Sequence, residues 1–187
     1  MAFVPSVPFV ASVPSIYIAL GSNIDPEDNI KAAVTLLRDR HPAIRFSSVY
    51  RSAPMHHERQ EDFLNAVAML DADHSPDEIY EFLSHIERHL GKNPPFRFGP
   101  RTIDLDLLLH GTGIHPDAET WHASHQAKES DGPLIIPHPR MHERRFVLEP
   151  LSELMDPLGK HPVLEKTWEE LLEGTLDQEV EKVRIIL

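Results

Sequence analysis

Hydrophobic positions change period several times along the chain, and each change marks an element. Residues 16–20, IYIAL, are a short apolar run of strand length. Asp25 and Pro26 follow as an N-cap and a first-turn proline. Ile30, Ala33, Val34 and Leu37 then recur at helical spacing and predict one buried stripe. Residues 44–50 and 63–70 read as two strands joined by a polar loop containing His56, His57 and Glu58. Ser75, Pro76 and Glu78 spell a capping box, Ile79, Phe82, Leu83 and Ile86 share a helical face, and Gly91 is placed to end that helix. Ile103, Leu105 and Leu107 alternate with Asp104 and Asp106, which is the period of a strand. Strand, helix, strand, strand, helix, strand is the order of a split βαβ unit. The expected class is therefore α+β, with a ferredoxin-like βαββαβ core in which helices pack on an antiparallel sheet.

Beyond that core, residues 112–133 are polar, His-rich and without a clear period, and read as an inserted loop. From Leu134, LIIPHPRMHERRFVLEPLSEL predicts a short strand, a proline turn and a helix. Residues 166–187 predict one more helix around Trp168 and Leu171 and a last strand at 183–187. Residues 1–15 are apolar but interrupted by prolines and lack a basic start. They are expected to be an extended tail rather than a signal peptide or a membrane span. Residues 16–187 then make one domain, with no internal repeat.

Composition narrows the function. With 41% hydrophobic and 26% charged residues, the chain can fill one ordinary core. It contains no Cys, so it has neither a disulfide framework nor a thiolate metal site or nucleophile, which fits the cytoplasm. A formal charge of -12 argues against a nucleic-acid surface, and any anionic ligand must be held by local cations. The expected partners are small molecules met by a monomer.

The run RFGPRTIDLDLL at 97–108 carries the strongest chemistry. On a strand, Asp104 and Asp106 project from one face, and two carboxylates in one small volume repel. A hard divalent cation, magnesium above all, relieves that repulsion through oxygen ligands. Gly99 and Pro100 turn the chain tightly into this strand between Arg97 and Arg101, and the Arg101 fork suits a phosphate. Phe63 and Asn65 alternate onto one face, giving an aromatic platform beside an amide that suits a flat heteroaromatic ring; ordinary core packing for Phe63 is the competing reading. Phe146 is a second aromatic candidate. His138, Arg140, His142, Arg144 and Arg145 concentrate cations where a helix begins, a place that favours them only when an anion is bound. Zinc on His138 and His142 is the weaker reading because Pro139 disturbs the helical spacing that such ligands need. His115, His122 and His125 are expected to be loop histidines.

No GxxxxGK[ST] loop and no GxGxxG after a strand is present, so bound phosphates fall to magnesium and arginines, and no GxSxG elbow offers covalent acyl chemistry. RFGPRTIDLDLL together with PHPRMHERRFVLEPL resembles the hydroxymethyldihydropterin pyrophosphokinase family, which moves pyrophosphate from ATP to a pterin alcohol in folate biosynthesis. The likeness runs from about Tyr17, through ALGSN at 19–23, VYRSAP at 49–54 and FLNAV at 63–67, to about Pro157.

That resemblance implies two magnesium ions on Asp104 and Asp106, which with Arg101 form the catalytic set. It implies ATP contacts from Glu87, Lys92, Phe98, Arg101, Leu107, Ile135, His138, Pro139 and Arg144, and pterin contacts from Ser52, Ala53, Met55, Phe63, Asn65, Phe98 and Phe146. The chain departs from the family in the loop GKNPPFRF at 91–98, at Pro139, where some members have Tyr, and at Ala53, which replaces a usual Pro. Two other readings use the same residues: a two-metal phosphohydrolase, and a catalytically silent pterin-binding module.

Overall fold

The computed structural model describes residues 13–55, 60–93, 99–127 and 134–187, without the side chains of 125–127. His56, His57, Glu58, Arg97, Phe98, the side chain of His125 and most of the expected tail lie outside the described residues.

Strand β1 (Ser15–Ser22) leads into helix α1 (Pro26–Arg40), strands β2 (Arg45–Phe46), β3 (Val49–Ser52) and β4 (Phe63–Asp71), helix α2 (Pro76–His89) and strand β5 (Asp104–His110). Helices α3 (Ala118–Ala127), α4 (Arg145–Ser152) and α5 (Trp168–Glu173) follow, and strand β6 (Val180–Val183) closes the chain. The sheet order is β5-β1-β4-β3-β6, with β2 also on β4, and every pairing is antiparallel. This is the expected α+β core, with β6 added beside β3.

Period 2 decides which face each side chain joins. Ile16, Ile18 and Leu20 of β1, Leu64, Ala66 and Ala68 of β4, and Leu105 and Leu107 of β5 pack against the stripes of α1 and α2. Tyr17, Val67 and Met69 face the other way, onto Val147, Leu148 and Leu151 of α4 and Trp168 and Leu171 of α5. Each such buried aliphatic side chain contributes about 1.5–3 kcal/mol. Helix α2 starts with the predicted capping box, in which Ser75 Oγ accepts from the Glu78 amide and Glu78 accepts from the Ser75 amide. Gly91, at φ +79°, turns the chain out of that helix in the left-handed region where glycine is at no disadvantage.

Five local expectations need correction. Residues 44–50 are not one strand. Phe46 pairs with Ala68 but Tyr50 with Asn65, one residue out of step, so an extra residue bulges out at Ser47–Ser48. Ser47 Oγ accepts from the Val67 amide at 2.9 Å, and the Ser48 amide donates to Glu153 Oε2 at 2.7 Å. Asp25 occupies the N-cap of α1 at φ 40° and makes no side-chain cap bond; Asn29 Nδ2 instead donates to the Ile24 carbonyl at 2.6 Å. The inserted stretch is not only loop, because α3 lies within it. Asp117 Oδ1 accepts from the Thr120 amide at 2.8 Å to start that helix, and the fully buried Trp121 anchors it. The strand expected before Pro137 is a single bridge between His115 and Ile136. The last strand lies earlier than predicted, because its ladder ends where β3 does, at Val49 and Val183. Ile185 and Leu187 owe their apolar character to packing on the core instead.

Candidate active site

Helices α4 and α5 cover only part of their face of the sheet. At the end where β1, β4 and β5 present Gly21, Asn65 and Asp104, the face opens into a cavity of about 660 Å³. Every residue that the family resemblance implies for the site lines it, apart from Phe98, which lies outside the described residues.

Strand β5 is the sheet edge, and its alternation aims both acids at the cavity while Leu105 and Leu107 enter the core. Asp104 Oδ1 accepts from Lys92 Nζ at 2.7 Å, and Oδ2 is paired with Arg101. Burial alone would raise the Asp104 pKa, but Lys92 and Arg101 hold it below the ordinary carboxylate value. Asp106 is pushed up, first by burial and then by the charge of Asp104. The acids thus differ: one is neutralised by protein cations, and its neighbour is left needing one. Among the described residues, no group of three or more His, Cys, Asp and Glu side chains could hold a metal ion by itself. Two carboxylates fit a hard cation whose remaining ligands are phosphate oxygens and water.

Arg101 is held from behind. Its amide donates to Asn23 Oδ1 at 2.7 Å, its carbonyl accepts from the amides of Asn23 and Ile24, and Ser22 Oγ donates to the Thr102 carbonyl at 2.6 Å. Ser22 and Asn23 were legible only as part of ALGSN; nothing in their spacing indicates that they brace the arginine. Glu87, near the end of α2, reaches around the sheet edge. Its Oε1 accepts from Lys92 Nζ at 2.6 Å and from the otherwise outward-facing Leu105 amide at 2.7 Å. Burial pushes Glu87 up, and Lys92 pulls it back.

Past the insertion, the His138 amide donates to the Leu108 carbonyl at 2.8 Å, which fastens this turn to the edge of β5. The turn is held on its far side as well, where Trp121 Nε1 donates to the Pro137 carbonyl at 2.8 Å. His138 is pulled down to about 3, by burial first and then by Arg144 and Arg140, so it is neutral near pH 7. Its Nδ1 accepts from the Arg140 amide at 3.3 Å, which places the ring proton on Nε2 as a donor. Arg144 at the start of α4 feels Asp106 and Asp104, whereas Arg145 is paired with Glu149 at 2.7 Å and does not line the cavity. The cation cluster therefore splits: Arg144 acts on the acids, Arg140 lines the cavity near Arg144 and His138, and Arg145 serves its own helix. Arg140, expected as part of that cluster, lines the cavity, and so does Ser124 of α3, which was not expected.

The opposite wall is neutral. Phe63 and Phe146 are half-buried there, and Asn65 is buried between strands, with Nδ2 donating to Ser52 Oγ at 3.0 Å and to the Tyr50 carbonyl at 3.4 Å. Those bonds fix the amide and leave Oδ1 as its acceptor, 3.5 Å from where a Cβ on Gly21 would stand. Ala53 and Pro54 continue the wall, and Met55, 52% exposed, stands at its rim. Leu107 and Ile135 also line the cavity.

A family model described as 7,8-dihydro-6-hydroxymethylpterin-pyrophosphokinase (HPPK) matches residues 17–156. The 2-amino-4-hydroxy-6-hydroxymethyldihydropteridine pyrophosphokinase of Bacillus subtilis (strain 168) is 39% identical over 158 residues, covering 82% of this chain and 86% of that protein. The Haemophilus influenzae protein of the same name is 36% identical over 146 residues, covering 76% and 82%. The mitochondrial folate synthesis bifunctional protein of Arabidopsis thaliana is 37% identical over 142 residues, 75% of this chain but only 23% of that larger protein. The crystal structure of an HPPK-DHPS in complex with substrates superposes with a TM-score of 0.64 at 14% identity, over 88% of this chain and 44% of that one, a likeness of fold alone. Among the described residues, no helix is long and apolar enough to cross a membrane. Fold, family match and relatives agree, and the chain belongs to the 7,8-dihydro-6-hydroxymethylpterin-pyrophosphokinase family.

Proposed function

We propose that the chain transfers the pyrophosphoryl group of ATP to the hydroxymethyl group of 6-hydroxymethyl-7,8-dihydropterin, with two magnesium ions carried by Asp104 and Asp106. The observation that supports this most is the pairing, in one cavity, of an acid and cation floor with a neutral wall of Phe63, Asn65 and Phe146. Magnesium at the acids would neutralise phosphate oxygens and ease loss of the alcohol proton. The pterin alcohol oxygen bonds to the β-phosphorus, the bond from that phosphorus to the α,β-bridging oxygen breaks, and AMP departs with the oxygen.

The side chains supply position and charge rather than covalent chemistry. Arg101, braced by Asn23, and Arg144 face the phosphate chain, and neutral His138 donates from Nε2 without adding a charge. Lys92 and Pro139 border the same chain, Glu87 closes the nucleotide side, and Leu107 and Ile135 offer backbone groups to the adenine. Phe63 and Phe146 sandwich the pterin. Asn65 reads its edge through Oδ1, and Ser52, Ala53 and Met55 complete that pocket. Phe98, expected at both substrates, lies outside the described residues. The reading takes the chain as a cytoplasmic monomer acting on small molecules, and the charge of -12 supports the exclusion of nucleic acid.

A product assay tests this. With ATP, the pterin alcohol and magnesium, AMP and pterin diphosphate form in equal amounts, and nothing forms without the metal. ADP as product, or free phosphate released without pterin, contradicts the proposal.

A further inference from the structure

We propose that Lys92 is a built-in stand-in for a divalent cation: in the metal-free protein its ammonium occupies Asp104, and it must leave before that carboxylate takes a metal ion. The inference rests on the reading of Asp104 and Asp106 as the magnesium carriers.

Lys92 Nζ lies 2.7 Å from Asp104 Oδ1 and 2.6 Å from Glu87 Oε1, and these three side chains are only 24%, 20% and 12% exposed. Arg101 meets the other oxygen, Oδ2, so each Asp104 oxygen already faces a protein cation. The two cations are not held alike. Arg101 is fixed at both its amide and its carbonyl by Asn23. Lys92 follows Gly91 just past the end of α2, with its amide on the Glu87 carbonyl at 2.9 Å, and reaches the acid along a flexible four-carbon stem. It can therefore leave Asp104 and keep Glu87. A divalent ion on Asp104 Oδ1 would sit against the ammonium, and like charges at contact distance repel strongly in a part-buried site. Occupation by Lys92 and by metal is thus mutually exclusive at that oxygen.

The arrangement has a functional consequence. With neither metal nor Lys92 at Asp104 Oδ1, Arg101 alone would offset the paired like charges of Asp104 and Asp106; Lys92 supplies the second cation and keeps the site's geometry. The same contact lowers the affinity of the nucleotide-free protein for free metal, because only the fraction with Lys92 displaced is competent. ATP offers Lys92 anionic oxygens to move to, so the metal is favoured to arrive with the nucleotide.

Two measurements on the full chain decide the matter. Manganese binding, read from the paramagnetic resonance of the free ion, is expected to be about tenfold tighter or more in nucleotide-free Lys92→Met than in the native protein. That gain should shrink with a non-hydrolysable ATP analogue present. In protein carrying 15N-labelled lysine, the Lys92 ammonium resonance should shift when magnesium saturates the site, which a distant charge effect would not produce. Unchanged or weaker manganese binding in Lys92→Met, or an unmoved Lys92 resonance at saturation, overturns the stand-in. Asp106→Asn separates the two levels. If it abolishes manganese binding to the nucleotide complex while Lys92→Met changes nothing, only the stand-in falls. If Asp106→Asn leaves that binding intact, the metal reading falls and takes the stand-in with it.

Discussion

The two ends of the cavity solve recognition by opposite means. The floor at β5 is an alternation of charges: two acids, Arg101 and Lys92 beside one of them, Arg144 acting on the other, and Arg140 near Arg144. Its elements come from the sheet edge and from segments on either side of it, and its charges are unbalanced until something arrives. The wall at β4 is neutral and complete. Asn65 spends its amide donors on Ser52 and Tyr50 and keeps one oriented acceptor beside Gly21, on the wall that Phe63 and Phe146 also line. A charged floor suits a ligand whose charge is redistributed during reaction, and a pre-satisfied neutral wall suits a flat ring that need only be read.

The largest effect is expected on the floor. Asp106→Ala should lower kcat by about a thousandfold or more, because the interaction matters most as phosphoryl charge shifts, while pterin affinity stays nearly unchanged by calorimetry. Comparable loss of pterin binding would break the separation between the two ends. The reciprocal change, Asn65→Ala, should weaken pterin binding by about ten- to a hundredfold and leave the affinity for an ATP analogue alone, since a buried site that loses its polar partner discriminates strongly. A variant that weakened both ligands equally would show the ends to be one site.

A smaller effect concerns stability. Asp106 in the metal-free fold is raised to about 6 from an ordinary 3.8, so the fold favours its protonated form. Its contribution is therefore most favourable below 3.8 and turns against the fold as pH rises through about 6. In chelator, Asp106→Asn should melt higher than the native protein at pH 7, and the gap should close near pH 4. An equal gap at both values would place the strain elsewhere.

The smallest effect lies outside the cavity. Burial opposes the charge of Glu153, but Lys182 and the Ser48 amide and Tyr50 hydroxyl hold it down at about 2, against an ordinary 4.5. The stability this adds is full above 4.5 and is lost as pH falls toward 2. Glu153→Gln should flatten the acid limb of the melting profile and leave turnover untouched. A change in turnover would tie the β3–β6 edge to the site.

How much of this could be read from residues alone depended on what each element used for its stability. Helix α2 was legible because Ser75, Glu78 and Gly91 are local signals and its apolar stripe is complete. The two acids were legible because period 2 places them on one face whatever the packing. Helix α3 was hidden because its anchor is tertiary: Trp121 packs against His142 and His161, and the only local start signal was Pro116 with Asp117. The bulge at Ser47–Ser48 was hidden because Glu153, far along the chain, supplies its partner. The division of labour among the cations was likewise closed to the sequence. Glu149 occupies Arg145, Asn23 braces Arg101, and burial keeps His138 uncharged; each cause is a tertiary contact or tertiary burial.

The central claim is that Asp104 and Asp106 together hold two metal ions beneath the phosphates of ATP. Counting manganese ions bound per chain in the complex with a non-hydrolysable ATP analogue and the pterin tests it directly. The account predicts two in the native protein and fewer in Asp104→Asn and in Asp106→Asn. An undiminished count of two in either variant contradicts it.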